Sequence, residues 1–254
     1  MKTSMALMTG LLLQVGIGQA QLSVSHFPEA KTSSKWIKMR GGKFNYTEQG
    51  SSFGVPVIML HGYSDSRISF DAILPHLPAS VHVFAISMRG YGDSYKPDNG
   101  YQPEEFSKDL ATFMDRLQIK SAVILGHSLG SIVAQRFALD HPKKTKAVIL
   151  MSAFSSFPMN EAATGLAKMI QGFDSIDSGF VRKFQESTVA KEVEPGYFNR
   201  MVQESMKVPL HVWQETISGF MKEDYTAVLE HIYQPVLIIW GDQDQVCTKK
   251  SRSY

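Results

Sequence analysis

Ala122-Val-Ile-Leu-Gly126-His127-Ser128-Leu129-Gly130, followed by Ile132-Val-Ala-Gln-Arg-Phe-Ala-Leu139 and closed before Pro142, decides the fold. Its first four residues are a short, β-branched-rich apolar run, and the residues after Gly130 carry a helical apolar pattern. Between them stands Gly-x-Ser-x-Gly. Alone this pattern is weak, since glycine and serine are common and chance supplies it to roughly one chain in ten of this length. Its position gives it meaning. A tight strand-to-helix turn forces its central residue into strained backbone geometry, and small residues two away on each side admit the close approach. Such a turn holds the Ser128 hydroxyl clear of the sheet, with a helix N-terminus behind it to favour developing negative charge.

Outward from this turn the same alternation repeats. Val55–Leu60, Val81–Ile86, Ala147–Met151 and Pro235–Trp240 are short and apolar at consecutive positions. Runs apolar on both faces suit parallel strands covered above and below. Pro103–Leu117 reads as a helix, with Pro103 near its start, Glu104 and Glu105 in its first turn, and Phe106, Leu110, Phe113, Met114 and Leu117 on one face. Trp36–Arg40 and Phe44–Thr47, separated by Gly41-Gly42, read as an opening antiparallel hairpin. The pattern predicts an α/β fold: a mostly parallel, doubly wound sheet with helices on both faces. From about Ser155 to His231 no strand-like run occurs, and helical patterns rich in Met and aromatics take over. The expectation is an all-helical cap over residues 155–231, inserted after the strand ending near Met151, with core segments at 21–154 and 232–254. A Met-rich cap over a pocket would suit varied apolar substrates.

His61-Gly62-Tyr63-Ser64 closes the run Val55–Leu60. In an acyl-transfer site two backbone N–H groups must face the carbonyl oxygen, one from the residue after the nucleophile and one from the loop after an earlier strand. Leu129 and Tyr63 are the candidates. His61, directly before Gly62, reads as a histidine bracing the turn, and His127 as too close to Ser128 to fold back onto it. A formal charge of +2 over 254 residues gives no electrostatic case for nucleic acid or an anionic membrane. One cysteine, Cys247, leaves no intramolecular disulfide and no multi-thiolate zinc site, and it reads as an incidental small residue. Neither a metal nor another cofactor is expected.

With these elements aligned, the chain resembles the α/β-hydrolase superfamily in its capped, lipase- and esterase-like branch. The resemblance rests on His61-Gly62, Arg89-Gly-Tyr-Gly-Asp-Ser94, Gly126-His-Ser-Leu-Gly130 and Pro235-Val-Leu-Ile-Ile-Trp-Gly-Asp-Gln-Asp244, in order, over residues 35 to 248. It implies a triad acid in a Gly-x-x-Asp pattern after a late strand, which is Asp244, with Asp242 as the nearby alternative. Asp93 reads as a turn residue. Relatives of this fold that cleave carbon–halogen bonds or epoxides carry aspartate at the elbow. Serine there implies acyl transfer on esters, lactones, thioesters or amides, or hydrolytic carbon–carbon cleavage.

The resemblance also implies a histidine beyond the acid, and none of the residues from Gln245 to Tyr254 is one. The expectation is a truncated or altered C-terminus. The leading reading is a serine hydrolase for small apolar esters or lactones, working through an acyl-enzyme at Ser128 and crippled in this form by loss of its general base. The alternative is a non-catalytic ligand-binding member of the fold, and a defective product is a third reading. At the other end, Lys2, the apolar run Met5–Ile17 and the small-x-small site Gly18-Gln19-Ala20 read as a secretory signal peptide over residues 1–20, with an apolar packing helix as the competing reading. A secreted or periplasmic protein without a membrane span is expected.

Overall fold

The computed structural model describes residues 34–78 and 80–247. The expected signal peptide lies outside the described residues. Seven strands form one sheet: β1 (Ser34–Met39), β2 (Gly42–Gly50), β3 (Val55–Leu60), β4 (Val81–Ile86), β5 (Ala122–His127), β6 (Thr145–Met151) and β7 (Val236–Ile239). Their order is β1-β2-β4-β3-β5-β6-β7. β1 and β2 pair antiparallel, as the Gly41-Gly42 break predicts, and β2 runs antiparallel to β4. From β4 through β3, β5 and β6 to β7 every pairing is parallel.

Because side chains alternate across a sheet, continuously apolar strands feed two layers. Ile58, Leu60, Phe84, Ile86 and Ile124 enter the larger core on one face. Val57, Met59, Val83, Ala85 and Leu125 enter a second cluster on the other. The first face is covered by α1 (Pro103–Arg116) and α2 (Leu129–Asp140), which bury Phe106, Leu110, Phe113 and Met114, and Ile132, Val133 and Phe137. On the second face the short helical turns Arg67–Phe70 and Leu74–His76 contribute Phe70 and Leu74. Asp109 of α1 also receives a two-pronged hydrogen bond from Arg89 (2.6 and 2.8 Å), fixing the loop after β4.

Between β6 and β7 the described chain forms four α-helices, a short helical turn (Leu229–His231) and no strand: α3 (Glu161–Gln171), α4 (Ser178–Ser187), α5 (Pro195–Met206) and α6 (Leu210–Phe220). Asn160 and Asp177 cap α3 and α4 by accepting from the third backbone N–H onward. The methionines depart from the sequence expectation. Met159, Met169 and Met206 are exposed, whereas Trp213 and Phe220 are fully buried. Of the methionines and aromatics here, the fully buried side chains are aromatic, while Met201 and Met221 are half-buried. Helical period marks an apolar stripe, but here the bulkier rings win the interior because each removes more surface from water.

Among the described residues β7 pairs with β6 alone. Its four residues are all exposed, Leu237 to 53%. Among the described residues the run is an apolar edge strand.

Candidate active site

Ser128 joins β5 to α2 with φ 50° and ψ −118°. A non-glycine residue there pays a steric cost that persists only where the surroundings impose it. The surroundings are two glycines. A Cβ on Gly126 would lie 2.2 Å from the Gly130 carbonyl oxygen, and one on Gly130 would lie 2.4 Å from that of Leu60. The helix therefore seats directly on the end of β3, which small residues alone allow. The Ser128 N–H donates to the Met151 carbonyl (2.9 Å), and its own carbonyl accepts from the Ser131 N–H (2.8 Å) and hydroxyl (2.6 Å). Backbone satisfied, the half-buried side chain stands at the turn.

The loop after β3 is held from three sides. Arg67 donates to Asn45 Oδ1 (2.6 Å) and Thr47 Oγ1 (2.6 Å) on β2. The Tyr197 hydroxyl of α5 donates to the Ser69 carbonyl (2.9 Å). Tyr63 donates through its hydroxyl to the Trp213 carbonyl (2.6 Å) while its ring meets the Trp213 indole edge-on at 4.9 Å. Phe184 packs against both rings, and Phe180 against Phe184 and Trp213. Among the described residues no hydrogen bond uses the Tyr63 backbone N–H. Leu129, first residue of α2, has a helix-terminal N–H without an intrahelical acceptor. Both N–H groups named from sequence are thus free to donate.

The histidines are accounted for by their contacts. His61 is fully buried; the Met88 N–H donates to its Nε2 (3.0 Å), so Nδ1 carries the proton and donates to the Gly62 carbonyl (2.8 Å). Burial pulls its pKa down to about 4. It braces the turn as a neutral ring. His211 of α6 bonds the Pro97 carbonyl (3.2 Å), and His231 is exposed. His127 is half-buried beside Ser128; burial lowers its basicity, while the carboxylates of Asp65 and Asp244 act in the opposite sense.

Asp244 lies on the loop after β7. Its Oδ1 accepts the N–H groups of Val246 (2.9 Å) and Cys247 (2.7 Å), a turn that fixes the carboxylate on the loop after β7. Asp244 is half-buried, whereas Asp242 is exposed. Asp93 is exposed and accepts from Lys207 (2.8 Å), as a turn residue would. Cys247 is buried, its thiol donating to the Ser152 carbonyl (2.8 Å). Sequence reasoning missed Asp65, which is buried on the loop after β3 with Gln185 of α4 as its donor. Its signal was faint: an acidic residue four past His61, in a segment otherwise read for its glycine.

A strained serine between a parallel strand and a helix, with the sheet order above, defines the class: the chain belongs to the α/β hydrolase fold family, matched over residues 55–253. It is a hydrolase, and its relatives carry esterase and hydrolase names. Over 209 residues it is 28% identical to pimeloyl-(acyl-carrier protein) methyl ester esterase of Neisseria meningitidis serogroup B, covering 78% of each chain. It is 32% identical over 168 residues to bifunctional epoxide hydrolase 2 of Sus scrofa, covering 65% of this chain and 29% of that one. The solved structure of Est816, an N-acyl homoserine lactone degrading enzyme, superposes with TM-score 0.71 at 26% identity, covering 85% of each chain.

Proposed function

We propose that the chain is a serine hydrolase of small apolar esters or lactones, with Ser128 as nucleophile, the backbone N–H groups of Tyr63 and Leu129 as oxyanion hole, and Asp244 as the acid. The observation that carries this is the φ of 50° at Ser128, imposed by Gly126 and Gly130 closing on each other. The Ser128 oxygen attacks the substrate carbonyl, and the two free N–H groups receive the negative charge that develops on its oxygen. Collapse expels the alcohol, which carries off the proton given up by the Ser128 hydroxyl and leaves an acyl group on Ser128; water then cleaves that ester, restoring the hydroxyl and releasing the carboxylic acid. The aromatic rings of Phe180, Phe184 and Trp213 packed over Tyr63 favour an apolar acyl chain. Serine in place of aspartate at the elbow separates this chemistry from epoxide opening.

The base is the weak member. No histidine follows Asp244 in the 254 residues, and His61 and His211 are engaged elsewhere. Neither of these rings is placed to serve Ser128 as a base. With imidazole supplied as the base, a fluorophosphonate should label Ser128, read by peptide mass spectrometry, and Ser128→Ala should abolish the label. Added imidazole should accelerate p-nitrophenyl butyrate hydrolysis by the wild type beyond the Ser128→Ala background, by roughly tenfold or more, as a supplied general base does. Saturable binding of the ester with no label and no rescue would favour the non-catalytic ligand-binding reading.

Export to the periplasm or medium is part of the same proposal, supported by Lys2, the apolar run to Ile17 and Gly18-Gln19-Ala20. Protein recovered from those fractions should begin at Gln21; an intact Met1 terminus would refute it.

A further inference from the structure

The turn that carries the Tyr63 N–H is strained. The Asp65 N–H donates to the Gly62 carbonyl (3.3 Å), so residues 62–65 form a β-turn with Tyr63 and Ser64 at its centre. Ser64 adopts φ 65°, at the position where such a turn takes glycine or asparagine. A serine there costs free energy that its surroundings must offset. Tyr63 is the first of the two central residues, and its N–H plays no part in closing the turn. The direction of that N–H is therefore set by whatever imposes the turn.

The constraint comes from the helical insertion. Gln185 of α4 is 3% exposed, and its Nε2 donates to Asp65 Oδ1 (2.9 Å) and to the Ser205 hydroxyl of α5 (2.8 Å). Both amide hydrogens are thereby engaged, and the Ser64 hydroxyl is a longer third neighbour at 3.4 Å. Ser205 closes the circuit, 3.3 Å from the Ser64 hydroxyl. Ser64 and Ser205 are fully buried, and Asp65 is 8% exposed. Polar side chains from three separate segments are thus removed from water, and each finds its partner on another segment. Mere packing of helix on loop would need none of them, because apolar side chains of the same volume would bury without that desolvation cost. The network grips both the strained residue inside the turn and the residue that ends it.

We propose that Gln185 is a positioning residue for the oxyanion hole: from α4 it clamps Asp65 and the Ser64 turn, and so aims the Tyr63 N–H. The inference rests on the reading of Ser128 as nucleophile and Tyr63 as donor. It gives the helical insertion a second part in the chemistry. Phe184, the neighbour of Gln185 in α4, meets the Tyr63 ring edge-on at 6.1 Å. One helix therefore touches the side chain of the donor residue and, through Gln185, holds its backbone turn. The surface that favours an apolar acyl chain and the group that aims the donor are adjacent residues of α4.

The test uses the full 254-residue chain with imidazole supplied as base. Gln185→Met keeps the length of the side chain and removes its donors. It should lower kcat for p-nitrophenyl butyrate roughly tenfold, a fraction of what deleting an oxyanion donor costs. KM should stay within about twofold, because the donor acts on the transition state more than on bound ester. A spectroscopic reading is independent of turnover. In chain carrying nitrogen-15 tyrosine, the Tyr63 amide signal, assigned by Tyr63→Phe, should move downfield when a fluorophosphonate occupies Ser128 and the phosphoryl oxygen accepts its proton. That displacement should shrink in Gln185→Met. Ser205→Ala cuts one of the two Gln185 bonds and should lower kcat about threefold; it decides the matter by the same criteria if Gln185→Met does not fold. A folded variant that keeps its kcat, suffers in KM alone, or keeps the full displacement overturns the inference and leaves Ser128 in place. A labelled wild type whose Tyr63 amide does not move removes that donor, and the inference falls with it. A wild-type chain that stays unlabelled in imidazole overturns the nucleophile and the inference together.

Discussion

At Gly130 a single methyl group decides whether the elbow closes. Its Cβ would strike the Leu60 and His61 carbonyl oxygens, at 2.4 and 2.7 Å, and these belong to backbone at the end of β3, which has no flexible end to yield. Gly130→Ala should therefore destabilise by about 3 kcal/mol, the upper range of overpacking penalties. Gly165 of α3 has nothing within 4 Å of its Cβ position. There the same substitution should stabilise by roughly 0.5–1 kcal/mol through helix propensity alone, and urea unfolding measures both. His61 sets an acid limit. Burial holds it at about 4 in the folded chain, against 6.5 when exposed, so between these values the unfolded chain binds the extra proton. Its contribution is complete above pH 6.5 and is lost as pH falls toward 4, by roughly 3 kcal/mol in all. Urea midpoints measured between pH 4 and 7 should show that slope in the wild type, and His61→Gln should flatten it.

Among the elements, α6 carries the heaviest load in the helical insertion. Trp213 is fully buried, and it touches Tyr63, Phe180 and Phe184. Trp213→Ala should cost about 3–5 kcal/mol and slow Ser128 labelling as the Tyr63 loop loses its support. Met169→Ser on the exposed side of α3 should leave the unfolding free energy within about 0.5 kcal/mol. The contrast explains what was legible. Strands β3, β4 and β5 announced themselves because a strand covered on both faces must be apolar at every position, and α1 because its apolar residues recur at helical spacing. Ser128 was readable since elbow, glycines and flanking elements are contiguous. The methionines misled because periodicity identifies a stripe without saying what lies opposite it. The bond from Gln185 to Asp65 spans 120 residues, and no local pattern in either segment names the other. Tertiary convergence of that kind leaves no mark on a single sequence.

For the whole molecule, the sheet's two margins differ. β1 ends it with Lys35 and Lys38, charges that discourage a further strand, and Lys35 reaches Glu48 on β2 (2.9 Å). β7 offers Val236-Leu-Ile-Ile239 and Trp240, all at least 40% exposed, with no charge among them. Leu237→Lys should reduce concentration-dependent light scattering on mild heating while the unfolding midpoint stays where it was. Unaltered scattering would show that this strand does not drive association. The tryptophans give this architecture an optical consequence. Trp36 and Trp240 lie open to water at 52% and 40%, and Trp213 is sealed within. An ionic quencher such as iodide should extinguish the two outer indoles and spare the inner one. The residual blue emission then watches the contact between α6 and Tyr63 directly, so a ligand that parts those rings should announce its arrival as a red shift, with no label attached.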